Sequence, residues 1–292
     1  MRDVAKGGTI RLVVPQWQGG ESRAYPLGAR LLQWLAPESA VPTYEISVAP
    51  PQDMPLALEA GVAGRTQLAE IAAEIRAILQ ATAPERIVVF GGDCLVTQEP
   101  FAYLNARHQG KLGLLWLDTH PDVALPTERF RGHTMVLGNL LGAGEPEMAA
   151  SVAVPFAGSH VMMVGLGRLF DYETERLAAL GVRRVDQTAL EDLDRQVLEW
   201  VDREAITHIA VHLDLDVLDP AIFRAQGFSI PGVAVPEAQA GRTGRMNFAQ
   251  LGGVLALIER RCEVVGFGMT EHLPWDMLNL QDMMAQVAIL KT

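Results

Sequence analysis

Cysteine is nearly absent from this chain: Cys94 and Cys262 are the whole complement of 292 residues. Two thiols give no disulfide framework, which excludes a small cross-linked secreted scaffold. Long apolar runs are missing as well. No stretch approaches the roughly 20 residues that a membrane-spanning helix needs. The opening Met1–Lys6 leads into no apolar segment of the kind that directs export. A cytoplasmic location with no membrane partner is therefore expected. Positive charge is also in short supply. Lys and Arg number 24 against 35 Asp and Glu, and the net charge of −11 argues against a general nucleic-acid surface. Neither internal repeats nor low-complexity tracts are present.

What remains is 49% hydrophobic and 20% charged, ample for a substantial core. Length alone admits two domains. The motifs below span nearly the whole chain, so a single domain over 1–292 is expected. Segments at strand spacing alternate with segments at helical spacing. Strands are predicted at 9–15, 86–90, 114–117, 162–166, 182–185, 208–216 and 264–269. Helices are predicted at 29–35, 68–79, 172–180, 190–201 and 248–260. Such alternation predicts an α/β layer fold. Phe223 to Met246, rich in Gly, Pro, Ala and Arg, is long for a plain connection. A substrate lid and a surface or subunit-contact loop are both open for it.

Chemistry concentrates at the ends of apolar runs. Leu114-Leu115-Trp116-Leu117 is followed by Asp118, His120 and Asp122, which share one face if the strand continues. A second run, from Ile209 to Leu213, delivers Asp214 and Asp216 at the same spacing. Carboxylates inside apolar strands are very costly to bury uncompensated, and cations would remove that cost. Five oxygen and nitrogen ligands suit two divalent ions sharing carboxylates. Either motif alone reads first as a helix cap or a solvated loop; their pairing points to metal.

Two further runs end in the same way. Arg86 to Phe90 leads into Gly91-Gly92-Asp93-Cys94, where paired glycines allow a tight, unusual backbone path. Cys94 falls at a strand-to-helix junction, where a thiolate is favoured; a buried, inert thiol is the plainer alternative. The run from Val264 ends in Met269-Thr270-Glu271-His272. Glu271 is a candidate partner for a cationic substrate or a base, with an exposed loop position as its alternative.

These motifs, in this order from about Val88 to His272, resemble the ureohydrolase superfamily of arginase, agmatinase and their relatives. The resemblance implies a three-layer arginase-like α/β fold with a mainly parallel central sheet and two manganese ions at the carboxyl ends of its strands. It implies Asp118, His120, Asp122, Asp214 and Asp216 as metal ligands. His133, in Arg131-Gly132-His133-Thr134-Met135, resembles the family's proton-shuttling histidine; its alternative is a surface residue. Glu271 resembles the glutamate that holds a guanidinium group. Thr119 replaces the alanine of the usual DAHxD motif.

Cys94 stands where most relatives have a metal-binding histidine. A smaller set, including a hydroxyarginine hydrolase of antibiotic biosynthesis, resembles this chain in having cysteine there. A thiolate still binds divalent metal but is softer, so a metal other than manganese is admitted at Cys94. The loop from Val123 to Arg131 lacks the asparagine and serine with which arginases grip an amino-acid end. The resemblance therefore implies a guanidino substrate without specifying L-arginine. Arg129 and Arg131 are candidates for an anionic substrate end, or are simply solvated.

The implied reaction is metal-assisted hydrolysis of a C–N bond to urea and an amine, with Asp122 orienting the attacking water. An N-hydroxyguanidine or a formimidoyl or other amidine substrate is the alternative. A non-catalytic member and a small-molecule deacetylase are the other readings. A homo-oligomer, trimer or hexamer, is implied by the resemblance.

Overall fold

The computed structural model describes residues 7–51 and 54–291; the Met1–Lys6 segment used in the export argument lies outside them. Along the chain run β1 (Thr9–Val14), α1 (Tyr25–Leu35), β2 (Thr43–Glu45), β3 (Leu58–Glu59), β4 (Val62–Ala63), α2 (Arg65–Thr82), β5 (Arg86–Gly91) and α3 (Gln98–Arg107). There follow β6 (Gly113–Leu117), α4 (Val136–Leu140), α5 (Pro146–Ala150), β7 (Val161–Leu166), α6 (Asp171–Leu180) and β8 (Arg183–Asp186). The remainder is α7 (Leu193–Arg203), β9 (His208–Asp214), α8 (Phe248–Arg261), β10 (Glu263–Thr270) and α9 (Trp275–Met284).

Eight strands form one sheet in the order β2-β1-β5-β10-β9-β6-β7-β8. Every neighbouring pair in it is parallel. β3 and β4 make a separate antiparallel hairpin. Because side chains alternate across a strand, a parallel strand covered on both faces must be apolar at every position. β6 meets that demand. Leu114 and Trp116 enter a cluster with Ile71 and Ile75 of α2 and Phe101 of α3. Leu115 and Leu117 enter the opposite cluster with Leu32 of α1, Trp200 of α7 and Val254 of α8. Helices thus cover both faces and the fold has three layers, as expected.

Helix boundaries follow local chemistry. Leu193, Val197, Trp200 and Val201 recur at helical spacing and are the buried face of α7. Asn247 and Gln250 exchange side-chain bonds to each other's backbone N–H and start α8 with a capping box. Expected bounds shift where a start signal lies outside the apolar pattern. The helix expected from Ala29 begins at Tyr25, with Pro26 in its first turn. The helix expected over 68–79 runs from Arg65 to Thr82. The one expected from Leu190 opens instead with a 3₁₀ turn, Leu190–Asp192.

The segment from Phe223 to Met246 has only two short 3₁₀ turns but is tied at both ends. Gln226 Nε2 donates to Leu218 O and Phe223 O. The buried Arg242 forms a two-pronged pair with Glu173 of α6, at 2.7 and 2.9 Å. No helix among the described residues is long and apolar enough to cross a membrane.

Candidate metal centre

β5, β10, β9 and β6 lie side by side in the middle of the sheet, and the candidate residues leave from their carboxyl ends, where open α/β sheets place ligands. Three of these strand ends use one device. Asp93, Asp118 and Asp214 each accept, on a side-chain oxygen, the N–H two residues on: Leu95 at 3.1 Å, His120 at 2.6 Å and Asp216 at 2.7 Å. Such a bond competes with the strand ladder and turns the chain away. The expected continuation of β6 through Asp122 therefore does not occur. Asp118, His120 and Asp122 are presented by a turn rather than a strand face, and Asp122 has a left-handed φ of 49°. The strand expected to reach Asp216 likewise ends at Asp214, and a 3₁₀ turn, Leu215–Val217, presents Asp216. At Gly91-Gly92 the demand is for close approach rather than unusual dihedrals. A Cβ on Gly92 would lie 1.7 Å from the Gln16 carbonyl oxygen.

The turns converge. Ligand atoms of Asp118, His120 and Asp216 lie within 4.8 Å of one another, as do those of Cys94, Asp118 and His212, and those of Cys94, His133 and Glu271. His120 Nδ1 is 3.1 Å from Asp216 Oδ2. The Cys94 thiol donates to Asp214 Oδ2 at 3.1 Å. Asp122 joins none of these three groups, but after burial its titration responds to Asp118, His120, Asp216 and Glu271, so it stands among them. All five aspartate and glutamate side chains here, Asp118, Asp122, Asp214, Asp216 and Glu271, are buried. The opening is at His120 and His133, whose side chains keep 22% and 20% of their exposure. Phe228, from the long loop, stands 5.7 Å from the His120 ring.

The charge balance calls for cations. Burial pushes Asp122 and Asp214 well above the usual carboxylate range, and the neighbouring Asp118 and Asp216 push them further. Burial opposes the charged form of His120, but Asp216 and Asp118 outweigh it and raise its pKa well above the usual imidazole value. Asp122 Oδ2 and Asp216 Oδ1 are buried without a hydrogen-bond partner. An unpaired carboxyl oxygen is expensive to bury, and more so once ionised. Divalent ions would satisfy these oxygens and the crowded carboxylates together, so the donor set fits the expected metals.

The thiolate expectation for Cys94 is corrected. Burial first, then Asp214 and Glu271, drive the thiol well above its usual value. The four-residue turn it opens runs directly into α3. Burial and the carboxylates outweigh the helix dipole there, so only a bound cation would favour the thiolate.

Glu271 is not an exposed loop residue. It is buried at a left-handed φ of 61°, and its carboxylate is held from both sides. The Tyr25 hydroxyl donates to Oε2 at 2.5 Å, and His133 Nδ1 lies 3.1 Å from Oε1. Neither Tyr25 nor His212 was singled out by the sequence. Tyr25 offers no local signal. His212 did offer one: a histidine at strand alternation with Asp214, inside an apolar run. Burial lowers its pKa to about 3 and keeps the ring neutral. Arg129 and Arg131 have other engagements. Arg129 stacks over Phe170 at 5.0 Å, and Arg131 faces Glu21 at 3.5 Å.

A family model described as the arginase family matches residues 28–274. An arginase of Agrobacterium fabrum is 29% identical over 215 residues, covering 67% of this chain and 61% of that protein. The curated relatives that match are thus spanned over between about half and three fifths of their length. Among solved structures, Entamoeba histolytica arginase in complex with L-ornithine has a TM-score of 0.75 at 16% identity, covering 94% of this chain and 93% of that one. Formimidoylglutamase of Bacillus subtilis has a TM-score of 0.65 at 17% identity, covering 98% and 86%. At these identities the structural likeness speaks for the fold.

Proposed function

The chain belongs to the arginase family, and from that premise we propose that it is a metal-dependent hydrolase cleaving a C–N bond of a guanidino compound to release urea and an amine. Glu271 carries this reading. A further buried carboxylate at the edge of an acidic centre makes sense if a cation arrives there. A guanidinium is planar and can donate two parallel hydrogen bonds to one carboxylate. Tyr25 and His133 take one position on each Glu271 oxygen. A carboxylate has about four acceptor sites, so sites remain for the substrate.

Cys94, Asp118, His120, Asp122, Asp214 and Asp216 would hold two divalent ions, manganese in this reading, with another divalent metal admitted at Cys94. When bound, such ions acidify water and stabilise the negative charge that develops during hydrolysis. The protein's own part is positioning and proton transfer. Asp122 Oδ2, buried and without a partner, is suited to orient the attacking water and accept its proton. His133 is partly exposed and touches Glu271, so it can pass a proton between solvent and the leaving amine. Glu271 fixes the reacting carbon relative to that water.

A second reading keeps the centre and changes the substrate to an N-hydroxyguanidine or a formimidoyl or other amidine group. Cys94 in the donor set and the shared fold of formimidoylglutamase support it. The proposed working form is one domain in a homo-oligomer, trimer or hexamer, in the cytoplasm. Exposed Met277, Leu280, Met283 and Met284 on α9 support assembly.

The test is a substrate panel with manganese-loaded protein: arginine, agmatine, guanidinobutyrate, guanidine, hydroxyarginine and a formimidoyl compound. Urea release from a guanidino member is expected. Hydroxyurea, or hydrolysis of the formimidoyl compound alone, selects the second reading. No hydrolysis of any member by fully metal-loaded protein would overturn both.

A further inference from the structure

We propose that His212 is itself a metal ligand, binding through Nε2 the ion that Cys94 also holds. The proposal rests on the metal-centre reading above and deepens it.

His212 lies on β9 two positions before Asp214, on the same side of the sheet, and is completely buried. One of its ring nitrogens, the Cys94 sulfur and an Asp118 oxygen fall within 4.8 Å of one another. The hydrogen bonds assign the nitrogen. The Thr97 hydroxyl donates to Cys94 O at 3.0 Å, which uses its only hydrogen. Toward His212 Nδ1, also 3.0 Å away, Thr97 Oγ1 can then only accept. With the hydroxyl hydrogen assigned to Cys94 O, Nδ1 carries the proton and Nε2 presents a bare lone pair. That Nε2 is buried and has no partner. A neutral imidazole oriented by a hydrogen bond at its far nitrogen is how metal-binding histidines are held.

The surroundings hold this arrangement in place. The His212 ring stacks on Trp116 at 3.6 Å and 6°. Trp116 Nε1 donates to Asp118 Oδ2 at 3.0 Å, so one indole orients two members of the cluster. Gly268, paired with His212 across β10 and β9, leaves the space that Thr97 fills. A Cβ there would come within 2.5 Å of Thr97 Cγ2. The resulting donor set of sulfur, imidazole nitrogen and carboxylate oxygen prefers a borderline ion such as zinc, cobalt or iron(II) over manganese. His120, Asp122 and Asp216 remain a harder, mostly oxygen set. The two positions should therefore differ in metal preference.

The experiment is a cobalt(II) titration of metal-free protein, read by visible d–d absorption and the near-ultraviolet sulfur-to-cobalt charge-transfer band. The parent should show the band, and Cys94→Ser should lose it. His212→Gln, shown to be folded by circular dichroism, should bind the sulfur-linked ion at least about tenfold more weakly and shift its d–d spectrum. Unchanged affinity and spectrum in His212→Gln would overturn the proposal. Should that variant not fold, the parent decides: with ¹⁵N-histidine label and zinc, metal-bound shifts at both His120 and His212 support the proposal. An unshifted His212 refutes it. These readouts are independent of turnover, so intact metal binding without hydrolysis sinks the proposed activity and leaves this assignment standing.

Discussion

The Tyr25 hydroxyl donates to Glu271 Oε2 at 2.5 Å, joining the start of α1 to the loop after β10 across 246 positions of chain. Burial and the adjacent Glu271 carboxylate raise the tyrosine pKa well above its usual value, so the hydroxyl remains a donor across the working pH range. A hydrogen bond to a charged group contributes roughly 1.5–3 kcal/mol. Tyr25→Phe should therefore lower kcat/KM about ten- to a hundredfold. Glu271→Gln keeps the shape but removes the charge and should lower it by more. Both should retain parental metal content by elemental analysis. Turnover by Glu271→Gln equal to the parent would refute the assigned role.

Chelation followed by dialysis should abolish activity, and manganese should restore it. Cys94→Ala should lose one ion preferentially, while Cys94→His should keep both. Ion counts per chain settle the point, and full activity in demonstrably metal-free protein would end the metal-hydrolase reading.

Metal binding should release protons. Without a cation, Cys94, Asp122, Asp214 and His120 all have raised pKa values and hold protons toward neutral pH. An ion displaces those protons, so affinity should rise with pH. Calorimetric titration in buffers of different ionisation enthalpy checks the sign. Heats that do not depend on the buffer contradict this account of the charges.

Arg242 and Glu173 are both almost fully buried, and Arg242 also stacks over Phe170 at 4.2 Å. Removing one partner of such a pair leaves an uncompensated charge and costs roughly 3–5 kcal/mol. Glu173→Gln should lower the thermal midpoint of unfolding clearly. It should also raise KM, because the pair anchors the loop that brings Phe228 to His120. A stability change below about 1 kcal/mol would show that the loop is anchored by other contacts.

The site was legible in part. Asp118, His120, Asp214 and Asp216 are recognisable because each sits at the end of an apolar run, and residue type with short spacing is local information. Their presentation was not. The strand template placed Asp118, His120 and Asp122 on one face, whereas a bond from the Asp118 carboxylate to His120 N–H ends the strand first. Cys94 was visible as a residue but not in its titration, because the burial that raises its pKa, and the carboxylates that add to it from the ends of β9, β10 and β6, come from distant parts of the chain.

By itself the sequence determined the alternation of strands and helices, the order of the four motifs and the acidic character of the centre. Periodicity, turn chemistry and residue type are written into neighbouring positions. Only the tertiary structure decided which groups meet. It set Tyr25 against Glu271, brought His212 close to Cys94, gave Arg129 and Arg131 partners of their own, and tied the long loop to α6 through Arg242. The physical reason is that the sheet order β5-β10-β9-β6 is not the chain order. Contacts across it depend on how the whole sheet is wound, and no local spacing encodes that.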